Sequence, residues 1–498
     1  MNTSARTQVR SDATEQEEGS LLSETYVVKA MPHVLGKRDM TITAVMALFL
    51  LTNAVSGAAG GPVSLIYLGL GAVVFFAPCV VAAIQLGVLL PNVGSLYNWT
   101  TRALGPFMGF FIGLCFWLSG VLAVTTAGSA FVTTLQGLNP AWLNQPWQQG
   151  LTILALTMVA ALLGLQRMRT IQNVINVIFV LLLLAVLLVG LAAVVYLVTG
   201  HHSMTNFADP NGWSLTPSTY FLFAIITLNF IGASGPLNLA GELRGRGTKG
   251  LVHIIRQHLL IGAPVVVVLY AIVTTSVLVV RGSTVGPFDG FAAVQQILGE
   301  IPADVAVIGF LSYLIAAMLF YTYISARILM AAGIDGFIPV RFAHLNRSRA
   351  PGPAVIFHSL ACALVIVIVY VIAPALVKLG GNPINTNIEF YTVVAAACTL
   401  IWTIATTFFF VDLVFLYRQN PPLVRRLRQF PLWVIWGSVV LGGAACLLTV
   451  VAILVYPWTP LIGNNWWGLI VGGLTLGILV FAGIASMLAN SQATFEQM

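Results

Sequence analysis

Two stretches of this sequence set small, polar and helix-breaking residues inside runs that are otherwise apolar. Residues 229–242 read Asn-Phe-Ile-Gly-Ala-Ser-Gly-Pro-Leu-Asn-Leu-Ala-Gly-Glu, with Gly232, Ser234, Gly235 and Pro236 crowded together. Residues 52–62 read Thr-Asn-Ala-Val-Ser-Gly-Ala-Ala-Gly-Gly-Pro and close on Gly61-Pro62, echoing Gly235-Pro236 in the later stretch. Proline removes a backbone donor and clashes with the preceding turn, and glycine gives up helix propensity. An interrupted helix frees N–H and C=O groups, which hydrocarbon tolerates only where protein, water or a ligand satisfies them. The chemistry on offer is recognition by main-chain dipoles rather than bond making. The plainer alternative is a proline kink that only shapes packing.

The elements that must carry these breaks are membrane helices. The chain has 498 residues, 58% of them hydrophobic and only 7% charged, and its mean hydropathy is +0.95; ordinary soluble domains carry about a quarter charged residues. The composition predicts an all-α polytopic membrane protein. Its apolar runs are long rather than alternating, which excludes a transmembrane β-barrel. Hydropathy predicts 12 transmembrane helices of about 20 residues each. The first covers 40–60, and the two breaks fall in the first and sixth. The expected organisation is a cytoplasmic tail (1–39), a five-helix half (40–200), a second five-helix half (217–418), two further spans (432–490) and a short cytoplasmic tail (491–498). Paired interruptions at corresponding places in two halves point to the central site of a transporter.

The net charge of +7 reports topology. All Lys and Arg residues but Arg281 and Lys378 fall in segments expected on one side, the positive-inside bias of a protein with both termini cytoplasmic. A nucleic-acid partner is therefore excluded, and the expected location is the plasma membrane. Residues 1–39 contain no apolar signal-peptide core; within them 21–35 is expected to form an amphipathic piece against the membrane face. The five cysteines lie in apolar spans without paired spacing and read as small buried hydrophobes. His201 and His202 lack further ligands at useful spacing, so no metal is expected. Neither a Ser/His/Asp constellation nor a Glu-x-x-His pattern appears within a span, so neither enzyme chemistry nor a cofactor is expected. Asp304, Glu389 and Asp412 sit toward span ends and Glu242 closes the sixth, leaving no charge clearly at mid-depth. That pattern favours a small neutral solute and gives no support to a proton relay.

Four runs carry a family resemblance. Residues 91–106 (Pro-Asn-Val-Gly-Ser-Leu-Tyr-Asn-Trp…Leu-Gly-Pro) follow the second span. Ala240-Gly241-Glu242-Leu243-Arg244 closes the sixth. Ser325-Ala326-Arg327 with Asp335-Gly336-Phe337-Ile338-Pro339 follows the eighth, and Ala350-Pro351-Gly352-Pro353 opens the ninth. Together these resemble the amino acid–polyamine–organocation transporter superfamily, in order over roughly 40–360, and look closest to its yeast-type amino acid, GABA and choline permeases.

The resemblance implies a LeuT-like 5+5 inverted repeat with broken helices 1 and 6 plus two C-terminal helices, moving amino acids or similar small zwitterions by alternating access. It implies a carboxylate held by amides around Ser56, Gly57 and Ala58 with Asn53 contributing. It implies an ammonium held by carbonyls around Phe230, Ile231 and Ser234, with Gly232 and Gly235 keeping the backbone approachable. Tyr321 and Phe320 fall where an aromatic caps the substrate, and Trp402, Thr403, Thr406 and Thr407 where residues line the route.

Departures are plain: Ser56-Gly57 replaces a more compact glycine motif, Gln85 an acid, Phe179 a lysine and Ser234 a Glu or Asp. The coupling ion, proton or sodium, or an exchanged substrate, is thereby left open. So are two further readings, a choline, polyamine or organic-cation permease and a transport-dead nutrient sensor. The partners expected in every case are a small molecule and the lipid bilayer.

Overall fold

A computed structural model describes residues 21–245, 247–283, 289–377, 383–459 and 462–496. Lys378, residues 1–20 and residues 497–498 lie outside the described residues. Every named element is helical: α1 (Leu22–Ala30), α2 (Lys37–Leu48), α3 (Leu51–Gly57), α4 (Val63–Leu89), α5 (Ser95–Leu104), α6 (Pro106–Leu138), α7 (Pro146–Gly164), α8 (Met168–Val198), α9 (Phe221–Phe230), α10 (Gly247–Val280), α11 (Asp289–Leu298), α12 (Glu300–Ile334), α13 (Gly352–Ala375), α14 (Pro383–Gln419), α15 (Pro421–Leu427), α16 (Leu432–Val455) and α17 (Asn464–Glu496). Among the described residues the sole β contact is an isolated parallel bridge between Leu35 and Leu243.

Among the described residues, eleven helices are long and apolar enough to cross a membrane. A twelfth span forms if Lys37–Leu48 and Asn53–Gly60, bent by 50°, are counted as one. The protein is thus an integral, multi-pass, all-α membrane protein. The short helix α11 lies in the connection that leads into α12.

Burial separates centre from rim. The apolar 18-residue stretches of Phe221–Glu242 and Thr392–Gln419 are each 83% buried, whereas that of Asn464–Ala489 is 17% buried and offers its apolar side chains outward. A helix apolar all round belongs either inside a large protein or against lipid, and both kinds occur here. Packing forms two groups: in one, α10 lies on α2, α3 and α4, and α9 on α3 and α4; in the other, α6, α7, α12 and α13 all contact one another. Between them, α8 joins α12 to α10, and α14 lies against α6.

Two expectations are corrected at this level. The 21–35 segment does form a helix over Leu22–Ala30, but it packs on the protein, with Val27 buried. Charge is also buried more deeply than span ends suggested. Helix α12 continues to Ile334, so Arg327 lies inside it, 1% exposed, against a wholly buried Glu242. Asp412 is buried too, accepting the Thr100 hydroxyl at 2.8 Å. Burial is bearable for the first pair because the guanidinium Nε and Nη2 both reach Glu242 Oε1, at 3.0 and 2.8 Å.

Candidate substrate site

The break in the first span lies at Phe49 and Leu50, whose extended backbones (φ −98°, ψ 119° and φ −125°, ψ 111°) separate α2 from α3. This corrects the expected position at 52–62. Residues 51–57 are helical, 58–60 form a single 3-10 turn, and the path turns at Gly61. In consequence Ser56, Gly57 and Ala58 stand at the C-terminal end of α3, where the Ala58 N–H donates to the carbonyls of Val55 and Ser56. The amides that open the half-helix belong to the residues from Leu51 onward.

Neither residue at the break is glycine or proline. Tyrosine hydroxyls from two other helices hold it open. In an unbroken helix the carbonyls of Met46, Ala47, Leu48 and Phe49 would accept from the amides four residues on. Here the Tyr270 hydroxyl of α10 donates to the Leu48 carbonyl at 3.0 Å and accepts the Leu50 N–H at 2.9 Å. From α12, the Tyr313 hydroxyl reaches the carbonyls of Met46, at 3.2 Å, and Phe49. The Tyr321 hydroxyl lies 3.5 Å from the Ala47 carbonyl. Every carbonyl released by the break therefore faces a phenol, as buried peptide groups require.

The break in the sixth span falls inside the expected stretch. Helix α9 ends at Phe230, Ile231 is extended (φ −71°, ψ 141°) and Gly232 takes φ +108°. A 3-10 helix then runs over Gly235–Glu242. Only glycine adopts the Gly232 conformation freely, and a side chain there would also come within 3.3 Å of the Trp402 ring.

A cavity of about 230 Å³ lies between the two breaks. Asn53 and Ser56 of α3 line it, with Leu48, Leu50, Leu228, Ile231, Thr126 of α6, and Cys398 and Trp402 of α14. Tyr270, Tyr313, Tyr321 and Trp458 complete its aromatic wall. None of the described residues lining it carries a charge. Tyr321 and Trp402 meet edge-on with ring centres 5.7 Å apart, and the Trp402 indole N–H is buried with no hydrogen-bond partner in the structure.

Of the expected site residues, Asn53, Ser56, Ile231 and Tyr321 come together on this cavity, as does Trp402. Gly57, Ala58, Phe230, Gly232 and Ser234 are not on its wall. The Phe230 ring stacks on Phe76 (4.6 Å) and meets Tyr270 edge-on (5.7 Å), so it shapes the break from behind. The Ser234 carbonyl accepts from the Leu237 N–H at 2.9 Å and from Ser95 Oγ at 3.4 Å, turned away from the cavity. Phe320 is buried beside Gly235. Thr403, Thr406 and Thr407 bond back to carbonyls of their own helix at 2.7, 2.8 and 3.0 Å.

Tyr270, Tyr313 and Thr126 were missed by sequence reasoning. The available signal was a phenol in the middle of an apolar span, which must find a partner there.

The cavity reaches toward the end of the bundle that carries Trp458 and Thr392. Its other end is packed shut. Ser95 Oγ donates to Asn238 Oδ1 at 3.1 Å, Asn238 Nδ2 donates to the Gly235 carbonyl at 3.1 Å, and the Glu242–Arg327 pair lies beyond.

The sequence that builds these spans matches a known family. The family model described as "Amino acid permease" matches residues 40–479, nearly the whole chain. The chain belongs to the amino acid permease family. That family transports amino acids or related solutes rather than transforming them. Among characterised proteins, no sequence matches the permease significantly. The matched region begins within α2 and ends within α17, so it takes in both breaks and every residue lining the cavity.

Proposed function

We propose that this permease is a secondary transporter that moves a small neutral amino acid by alternating access, through the cavity between the two breaks. The observation that carries this reading is an uncharged, aromatic-walled cavity placed between two interrupted helices. A zwitterion needs no counter-charge there: the opening amides of α3 present partial positive charge, and the peptide groups ending α9 present partial negative charge. Asn53 and Ser56 add side-chain hydrogen-bonding groups beside the carboxylate. The side chain of the amino acid lies toward Tyr321 and Trp402.

The open end carries the connections poor in Lys and Arg and is the outer one, so the conformation faces outward, with both termini cytoplasmic in the plasma membrane. Rocking of α2, α3, α4, α9 and α10 against α6, α7, α12 and α13 opens the other end. A second reading draws on the same walls. Five phenol or indole rings without a carboxylate suit a quaternary ammonium through cation–π contact, as in a choline-type permease.

Uptake into proteoliposomes with a competition panel tests both readings. Neutral amino acids should compete, and choline and polyamines should not. Competition by amines alone would replace the first reading with the second, and binding without uptake would make the protein a sensor. Ser56→Trp should abolish uptake while leaving the protein folded in the membrane, because that side chain is exposed on the cavity wall.

A further inference from the structure

Helix α1 lies across the packed end of the bundle. Its first turn is tied to the α6/α12 group and its exit to the α9 side. The Ser23 N–H donates to Asp335 Oδ1 and the Ser23 hydroxyl to Asp335 Oδ2, each at 2.8 Å. Tyr97 of α5 donates to the same Asp335 Oδ2 at 2.8 Å. Burial pushes the Asp335 carboxyl above the usual carboxylate range, and the hydrogen bonds from Ser23 and Tyr97 pull it back. Glu24 accepts from Arg102 Nε at 2.9 Å and from Asn98 Nδ2 at 3.2 Å. Both Arg102 and Glu24 are more than half buried, so solvent screens the pair less than it would a surface one.

Below this polar edge, Val27 and Met31 are buried with Val93 and Met330. Val27 also rests on the 3-10 helix: a Cβ at Gly241 would stand 2.8 Å from its side chain and 2.6 Å from that of Val93. Glycine there lets α1 approach the backbone. The chain leaving α1 then clamps the same element. The N–H groups of Val34 and Leu35 both donate to the Glu242 carbonyl at 3.0 Å, and the Arg244 N–H donates to the Leu35 carbonyl at 2.8 Å.

We infer that α1 is a latch on the cytoplasmic gate, with Ser23 and Glu24 as gating residues that let go of Asp335 and Arg102 whenever the cavity opens to that side. The inference rests on the alternating-access reading. Opening that end parts Gly235–Glu242 from α12, and α1 bridges the two. It is held to α5 and α12 by hydrogen bonds and an ion pair, and to the 3-10 helix by packing and main-chain bonds. The first set is the one that solvent can replace as α1 lifts.

A thiol reporter tests this without relying on transport. In a variant whose native cysteines are replaced, Ser234→Cys lies just beneath the second break and is fully buried. An impermeant thiol reagent applied from the cytoplasmic side then reads how often this end opens. Glu24→Arg should raise the labelling rate about tenfold, equivalent to about 1.4 kcal/mol, and adding Arg102→Glu should bring it back to within about twofold of the parent.

Ser23→Asp, which sets two carboxylates face to face, should raise labelling as well and serves if Glu24→Arg fails to fold. A thermal unfolding transition like the parent's certifies each variant. Unchanged labelling in a folded Glu24→Arg or Ser23→Asp protein overturns the latch. So does a raised rate that Arg102→Glu leaves raised in the Glu24→Arg background. If the variants label as expected while the unaltered protein transports nothing in proteoliposomes, the latch stands and the transport reading falls.

Discussion

Gly232 and Tyr313 set the two breaks by different physics. Gly232 sits at φ +108°, a backbone region that side chains rarely adopt. Gly232→Ala should cost about 1–3 kcal/mol in the conformation that forms the site and lower uptake at least tenfold, measured at equal protein content in proteoliposomes. Wild-type uptake would show that this kink is incidental to transport. Tyr313 acts through its hydroxyl alone. Tyr313→Phe keeps the ring and leaves the Met46 and Phe49 carbonyls facing an apolar neighbour, which should cost about 1–3 kcal/mol. Substrate affinity and the unfolding transition should both fall; if neither moves, the phenol does not organise the first break. Gly232 was legible as glycine beside proline in an apolar run. Tyr313 was legible only as a residue needing a partner, since its partners are backbone atoms more than 260 positions away in the sequence.

Helix by helix, the ion pair joining the 3-10 end of the sixth span to α12 is the clearest case of cost against gain. Arg327 and Glu242 are almost wholly removed from solvent. Removing one partner strands the other, so Arg327→Met should destabilise the protein by about 3–5 kcal/mol. Arg327→Met combined with Glu242→Leu should recover most of that, read as membrane yield and unfolding temperature in detergent. If the double variant is as unstable as the single one, the pair's value lies in its other contacts, not its charge. Sequence reasoning put Glu242 at a helix end and Arg327 in a motif, both rightly, but depth followed from α12 running on to Ile334. Span existence and order were read from hydropathy, because each span answers to its own composition. The location of the first break was not: small residues at 56–61 mark a 3-10 turn and a bend, and the opening lies about two helical turns earlier.

For the molecule as a whole, the proposed topology makes a direct prediction. Tags placed at the two termini should both be accessible from the cytoplasmic side, and a cysteine introduced at exposed His202 should label only from outside. Labelling of both from one side would invert or dismantle the arrangement of spans. The amino acids alone settled that this chain lives in a bilayer, where the sixth span breaks and which family's motifs it carries, and they pointed to 12 crossings where the described residues hold 11, or 12 with the bent first pair counted as one. All of these depend on local composition: apolar length, the placement of Lys and Arg, a glycine beside a proline. The folded molecule decided the rest. Tyr270, Tyr313 and Tyr321 converge on the carbonyls of Met46–Phe49, α1 lands on Asp335 and Arg102, and Asn53 and Ser56 meet Tyr321 and Trp402 across one cavity. Those contacts join residues tens to hundreds of positions apart. Their geometry is fixed by how helices pack, which no window of sequence contains.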